Sequence, residues 1–251
     1  MSKFISKQSV AIWYALTALF ATFLVGQVIL FFFPDRSSLG ASLLFILMNL
    51  IPMMMAAVFC LGLSEITSFG DFFKKVFLQK ESPLSWILAF FIPVIYYGIS
   101  ILLMNVRFTG NSLLAFFLYF PWTLLYGGLE EVGWRWFLQD HLSYSKHFIP
   151  KMMLLSIVWF LWHIPIYQLP WITAGSSNYL IFYLMILGNT FLFGALKEYS
   201  KGAVPCILAH MLIDSLAVLM LVQSSLPQII FLVIFEILVS SWLVAIRKSE
   251  K

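Results

Sequence analysis

Charge is what this 251-residue chain has least of: Asp, Glu, Lys and Arg together make up 10% of it, against about 25% in an average soluble chain. That shortage excludes an ordinary soluble domain. Cysteine is nearly absent as well. Cys60 and Cys206 both lie inside apolar runs, where they are expected to pack as small hydrophobes rather than form a disulfide framework. There is no internal repeat and no low-complexity linker, which excludes solenoids and strings of modules. The first apolar run, from about Ser9 to Phe33, has no small-residue cleavage site and is too long for a signal-peptide core, so it is expected to stay as a membrane helix. The zinc-peptidase signature His-Glu-x-x-His is also missing.

What the chain has instead is 62% hydrophobic and 18% aromatic residues. Uncharged apolar runs of about 20 residues are long enough to cross a bilayer as helices. Eight candidates follow in order: Ser9 to Phe33, Leu39 to Leu63, Pro83 to Met104, Asn111 to Leu129, Met152 to Pro170, Tyr179 to Leu196, Ala203 to Leu221, and Leu226 to Ile246. The loops between them are short. The expectation is an all-α, polytopic membrane bundle of about eight helices, forming a single domain over residues 1–251.

The basic residues alternate with these runs. Lys3 and Lys7 precede the first; Lys74, Lys75 and Lys80 follow the second; Arg135, Lys146 and Lys151 follow the fourth; Lys197 and Lys201 follow the sixth; Arg247, Lys248 and Lys251 close the chain. That places 13 of 15 on one side and leaves Arg36 and Arg107 opposite. An excess of Lys and Arg marks the cytoplasmic face, so both termini are expected in the cytoplasm of a multi-pass cell-membrane protein. The net charge of +4 is thereby a topology signal and not a nucleic-acid surface. After the second run, Phe69, Phe72, Phe73, Val76 and Phe77 recur at offsets of three and four among Asp71, Lys74, Lys75 and Lys80. This reads as an amphipathic helix lying in the interface, aromatic face toward the lipid.

Against this background a few ionisable residues stand out, because such groups inside membrane spans are costly and mark function. Glu130 and Glu131 follow a long uncharged run, preceded by Gly127-Gly128, which permit close helix approach or a bend. His163 lies about 11 residues into the fifth run, roughly 16 Å along a helix. His210 and Asp214 are four apart and share one face of the seventh. Glu131 and Arg135 are also four apart and can pair across one turn, whereas Glu130 sits about 100° round and escapes that pair. Glu131 with Arg135 then reads as scaffold, and Glu130 as the working group. Glu236, midway along the eighth run, is outside these groupings and is expected to have a buried partner.

Three patterns in this order resemble the motifs of the CAAX protease and bacteriocin-processing (CPBP, or Abi) family of intramembrane proteases. They are Glu130-Glu131-x-x-x-Arg135, Trp159-x-x-x-His163, and His210-x-x-x-Asp214. The resemblance covers roughly 121–219. It departs from the family at Trp159, where phenylalanine is usual, and at Asp214, where asparagine is common. An asparagine amide can donate to an oxyanion and an ionised aspartate cannot, so Asp214 must orient His210, stay protonated, or help hold a metal.

The resemblance implies that Glu130 and His163 activate a water, with His210 and residue 214 stabilising the tetrahedral oxyanion. A metal-dependent alternative would use Glu130, His163 and His210 as zinc ligands with one position open. The metal-free scheme is preferred, and no cofactor is assigned beyond zinc as the open alternative. The implied substrate is a membrane-embedded or membrane-associated peptide, in bacteriocin maturation or self-immunity. Two other readings stand beside it: a non-catalytic immunity or regulatory protein that binds a peptide or partner, and a transporter relaying protons through Glu130, His163, His210 and Glu236. Oligomeric state is not legible.

Overall fold

The computed structural model describes residues 6–33, 38–143, 147–169, 171–172, 178–222 and 225–249. Lys3, Arg36, Lys146 and Lys251 of the charge pattern lie outside the described residues. Each of the eight apolar runs is helical, but they are not equal. Six are long and apolar enough to cross a bilayer: α1 (Lys7–Phe32), α2 (Leu39–Gly62), α4 (Pro83–Leu102), α7 (Phe148–Tyr167), α8 (Tyr179–Tyr199) and α10 (Leu226–Ser249). Several start at a polar cap that satisfies the first free amides, with Ser6 accepting from Ser9, Ser38 from Ala41, and Ser82 from Ser85 ahead of Pro83. Large side chains such as Trp13, Phe20 and Trp242 are exposed along these helices, as a lipid-facing surface requires.

The fourth and seventh runs correct the expected count. The fourth is α5 (Leu113–Thr123) continued through a widened π-helical turn at Leu124–Gly128, a second at Val132–Leu138, and the short α6 (Gln139–His141). Its two halves meet at a bend of 47°, and counting them as one span raises the total to seven. The seventh is α9 (Val204–Leu216), whose 13 residues rise only about 20 Å, short of the roughly 30 Å hydrocarbon core. It stops because the chain turns at Ala217–Leu219 into a strand.

Hydrogen bonds show which loops share an end of the bundle. At one end, the amides of Lys201 and Gly202 donate to Glu81, and Ala203 donates to the carbonyl of Val76 in α3 (Phe69–Phe77). Lys197 pairs with Asp140 at 3.0 Å, and His141 meets Glu65 at 3.0 Å, on the same side. At the opposite end, β1 (Val106–Phe108) pairs antiparallel with β2 (Met220–Val222), Arg107 facing Leu221, while Thr109 and Asn111 bond the carbonyl of Val218. The lysine-bearing loops therefore gather at one end and Arg107 stands at the other, as the alternation of charge predicts.

Helix α3 forms where expected, capped by Ser68, but its aromatic face is divided. Phe72 and Val76 are buried against the protein, Phe72 edge-on to Trp136 at 5.6 Å, leaving Phe69 and Phe73 exposed for the interface. The protein offers a drier, better-packed surface to half of that face than the headgroup region does. Cys60 and Cys206 are buried free thiols.

Candidate active site

The site begins with the bend. The amide of Leu129 bonds the carbonyl of Leu124 at 3.0 Å, the i to i−5 closure of a π-turn. Gly127 and Gly128 are needed here for proximity. A Cβ on Gly127 would collide with the Asp214 carboxylate and come within 3.0 Å of His210 Nε2, and one on Gly128 would lie 2.9 Å from Met211. Both roles anticipated for this pair, bending and close approach, are present, and they lay the glutamates directly against α9.

Arg135 and Glu131 form the expected i,i+4 pair, Nε to Oε2 at 2.9 Å, with both side chains fully buried. The guanidinium also lies over the Trp159 ring at 4.6 Å and the Phe193 ring at 5.6 Å. Glu130 stays out of that pair, as expected, but it does not point elsewhere. Both carboxylates converge on His210, whose Nδ1 lies 2.8 Å from Glu131 Oε1 and 3.4 Å from Glu130 Oε1. The cause is the bend and the wider turns beside it, which rotate successive side chains by less than an α-helix does. Glu131 thus touches both the scaffold arginine and the histidine. Trp134 Nε1 donates to Glu130 Oε2 at 3.4 Å.

His163, near the end of α7, has Nδ1 2.8 Å from the Trp159 carbonyl. A carbonyl only accepts, so Nδ1 carries the hydrogen and the Nε2 lone pair is left for the cavity. His210 has Nδ1 against carboxylates and Nε2 3.5 Å from Asp214 Oδ2, and its ring stacks on Phe193 at 5.4 Å.

Two cavities meet these side chains. One, of about 350 Å³, is lined by Glu130, His163, His210 and Asp214 together. The other, of about 540 Å³, shares His163, His210 and Asp214 and is walled by Tyr96, Tyr97 and Tyr167. Both volumes fall in the range of small-molecule or peptide-segment sites, roughly 300–1,000 Å³. Glu131 and Arg135 line neither; they sit behind the wall. Sequence reasoning passed over Tyr167, which lines both cavities, and Asn189 of α8, which lines the larger. Asn189 left a readable signal, a polar amide inside an apolar run. Tyr97 left little, yet its hydroxyl donates to the Ile213 carbonyl at 3.0 Å and ties α4 to α9.

Among the described residues, the donor atoms that converge closely enough to hold a metal, within 4.8 Å, belong to Glu130, Glu131 and His210, with His163 outside the trio. By spacing and donor type this set suits zinc. Arg135, 2.9 Å from Glu131, already supplies that carboxylate with a positive charge. Glu236 lines neither cavity; its two oxygens are buried without a hydrogen-bond partner among the described residues, against Gly188 of α8. The buried partner expected for it is not found there.

Residues 111–216, which hold the bend, both histidines and Asp214, match the family model described as type II CAAX prenyl endopeptidase Rce1-like. The matched segment, 106 of the chain's 251 residues, is similar to the CAAX intramembrane proteases. Six or seven helices long and apolar enough to cross a bilayer make the chain a multi-pass membrane protein, in keeping with that similarity. No curated protein matches the chain. Of the CAAX protease pattern, the three charged motifs lie within the matched segment, whereas α1 to α4 lie outside it.

Proposed function

We propose that this chain is an active CAAX-type endopeptidase that hydrolyses a membrane-associated peptide, with Glu130, His163, His210 and Asp214 as its site residues. The observation that carries the reading is that these four side chains, from three separate elements, line one cavity of about 350 Å³. A water between Glu130 and His163 would be held by the Nε2 lone pair of His163 and deprotonated by Glu130, since a carboxylate removed from water is a stronger base. Its oxygen adds to the peptide carbonyl carbon. The oxyanion is met by His210 Nε2–H, with Nδ1–H held by Glu131; a ring flanked by carboxylates on both nitrogens is a donor on both sides. Glu130 then returns the proton to the amide nitrogen, the C–N bond breaks, and a carboxylic acid and an amine leave, the acid proton passing to the amine on release. Asp214 positions His210, and Arg135 fixes Glu131.

A zinc, if bound, would be held by Glu130, Glu131 and His210 and would supply Lewis-acid polarisation of the carbonyl. The metal-free scheme is preferred because Arg135 and the His210 hydrogen bond already occupy Glu131. Zinc measured in stoichiometric amount, and lost together with activity, would reverse that preference. The setting we propose is the cell membrane with both termini cytoplasmic, supported by the charge distribution, and a single domain whose motif-bearing core is 121–219. The task we propose is peptide maturation or self-immunity in bacteriocin producers. Mass spectrometry of membrane peptides from cells carrying wild type or Glu130→Gln tests it. Peptides that accumulate uncut only in the variant support hydrolysis; identical peptide profiles beside an unchanged bacteriocin phenotype would point to a non-catalytic protein.

A further inference from the structure

Both cavities run from the histidines toward the β1–β2 end. The larger has Arg107, Leu221 and Val222 at its rim, and the smaller has Val218, Leu221, Trp171 and Ile172. Among the described residues, none from the lysine-bearing loops lines either one. On that side the site is backed by Glu131, Arg135, Trp134, Phe137 and Cys206, all buried to within 1%. The rim also carries a charge. Arg107 is exposed, is the one fixed cation among the lining residues, and has no carboxylate partner among the described residues. Its cross-strand neighbour Leu221 lines both cavities, so Arg107 stands at the rim of the larger one beside a residue that the two share.

We infer that the site is loaded from the membrane face opposite the lysine-bearing loops, and that Arg107 holds a carboxylate of the arriving peptide at the rim. Under the charge rule this is the extracytoplasmic face. The inference rests on the proposed hydrolysis for its purpose, though not for its geometry. An arginine at the rim of a cavity attracts an anionic group most strongly where low-dielectric walls, here including Trp159, Phe182 and Phe193, focus its field. The carboxylate has two sources, a free chain terminus or an acidic side chain.

The test uses Leu221→Cys, with Val222→Cys as a second variant should the first fold poorly, and wild type as the blank because Cys60 and Cys206 are buried. Membrane-impermeant anionic and cationic methanethiosulfonates are applied to right-side-out and inverted membrane vesicles. Lys80→Cys, at an exposed position on the lysine end, marks that face. Labelling of the rim cysteine in the vesicle orientation opposite to Lys80→Cys is expected, and labelling in the same orientation overturns the inference. A unit charge about 8 Å away in water changes the local concentration of a monovalent ion roughly twofold. Adding Arg107→Gln should therefore lower the anionic-to-cationic rate ratio about fivefold at low salt, and an unchanged ratio removes Arg107 from its role. Short acetylated apolar peptides then compete with the reagent, ending in a free carboxylate, in an amide, or in an amide with an internal Glu. Protection by the first alone identifies the terminus, by the third alone the acidic side chain, and by none or all equally refutes carboxylate recognition. Glu130→Gln should label like wild-type background with cleavage stopped; if cleavage persists, the hydrolytic reading fails while the sidedness result stands.

Discussion

Removing the guanidinium of Arg135 should cost more stability than any other single charge change in this protein. Arg135→Gln leaves Glu131, fully buried, without its counter-charge at 2.9 Å. Breaking a buried pair by deleting one partner costs about 3–5 kcal/mol. The lost stacking over Trp159 at 4.6 Å adds on the order of 1 kcal/mol. His210 still bonds Glu131 at 2.8 Å, which keeps the loss near the lower end, about 3 kcal/mol. At roughly 2–4 °C per kcal/mol for a chain of this size, the midpoint in detergent should fall by roughly 6–12 °C. The diagnostic measurement is the double variant Glu131→Gln/Arg135→Gln, followed by thermal aggregation on size exclusion with fluorescence detection. Removing both charges relieves the orphaned carboxylate, so the double variant should melt above Arg135→Gln alone, with a coupling of about 1–3 kcal/mol. A strictly additive double variant, or a single variant within 2 °C of wild type, would show that the pair is not buried as described and would refute the scaffold role.

Three other outcomes follow from the same geometry. Gly127→Ala should cut peptide hydrolysis at least tenfold with a smaller effect on expression, because the new methyl displaces Asp214 and His210 and not the bundle core; comparing initial rates on one reporter peptide with melting curves checks this. Asp214→Asn should lower activity if Asp214 holds the charge on His210, and a rate equal to or above wild type would assign residue 214 to oxyanion donation instead. Glu236→Met should raise the melting temperature by a few degrees, since both oxygens of Glu236 are buried without a partner among the described residues and an apolar side chain of similar length removes that cost. A drop on this substitution would show that Glu236 has a partner after all.

Much of the bundle was legible because hydropathy and charge are local quantities. The eight apolar runs, the alternation of lysines, and the i,i+4 spacing of Glu131 with Arg135 all survive translation into three dimensions. What stayed hidden depended on contacts between segments. α9 stops after thirteen residues and the chain passes into β2, and a three-residue strand such as Met220–Val222 has no sequence signature. The fate of Phe72 was decided by Trp136, far along the chain. The convergence of Glu130 and Glu131 on His210 could not be read from α-helical geometry because the local helix is not α. Gly127-Gly128 hinted at a bend, but nothing in the spacing said that the turns would widen.

That widening has a consequence for how the protein can change. A π-turn holds one residue more than the α-turn it replaces, so the stretch Leu124–Gly128 contains a spare position in its backbone register. Deleting one residue there would let the segment close as ordinary helix with its downstream facing nearly unchanged, because the surplus residue is what the widened turn absorbs. The apolar surface of the bundle would scarcely register the loss, since the residues beyond the turn keep their neighbours. What the deletion removes is the local detour beside Glu130 and Glu131, so a one-residue length change at this point acts on the two carboxylates and spares the membrane protein that carries them.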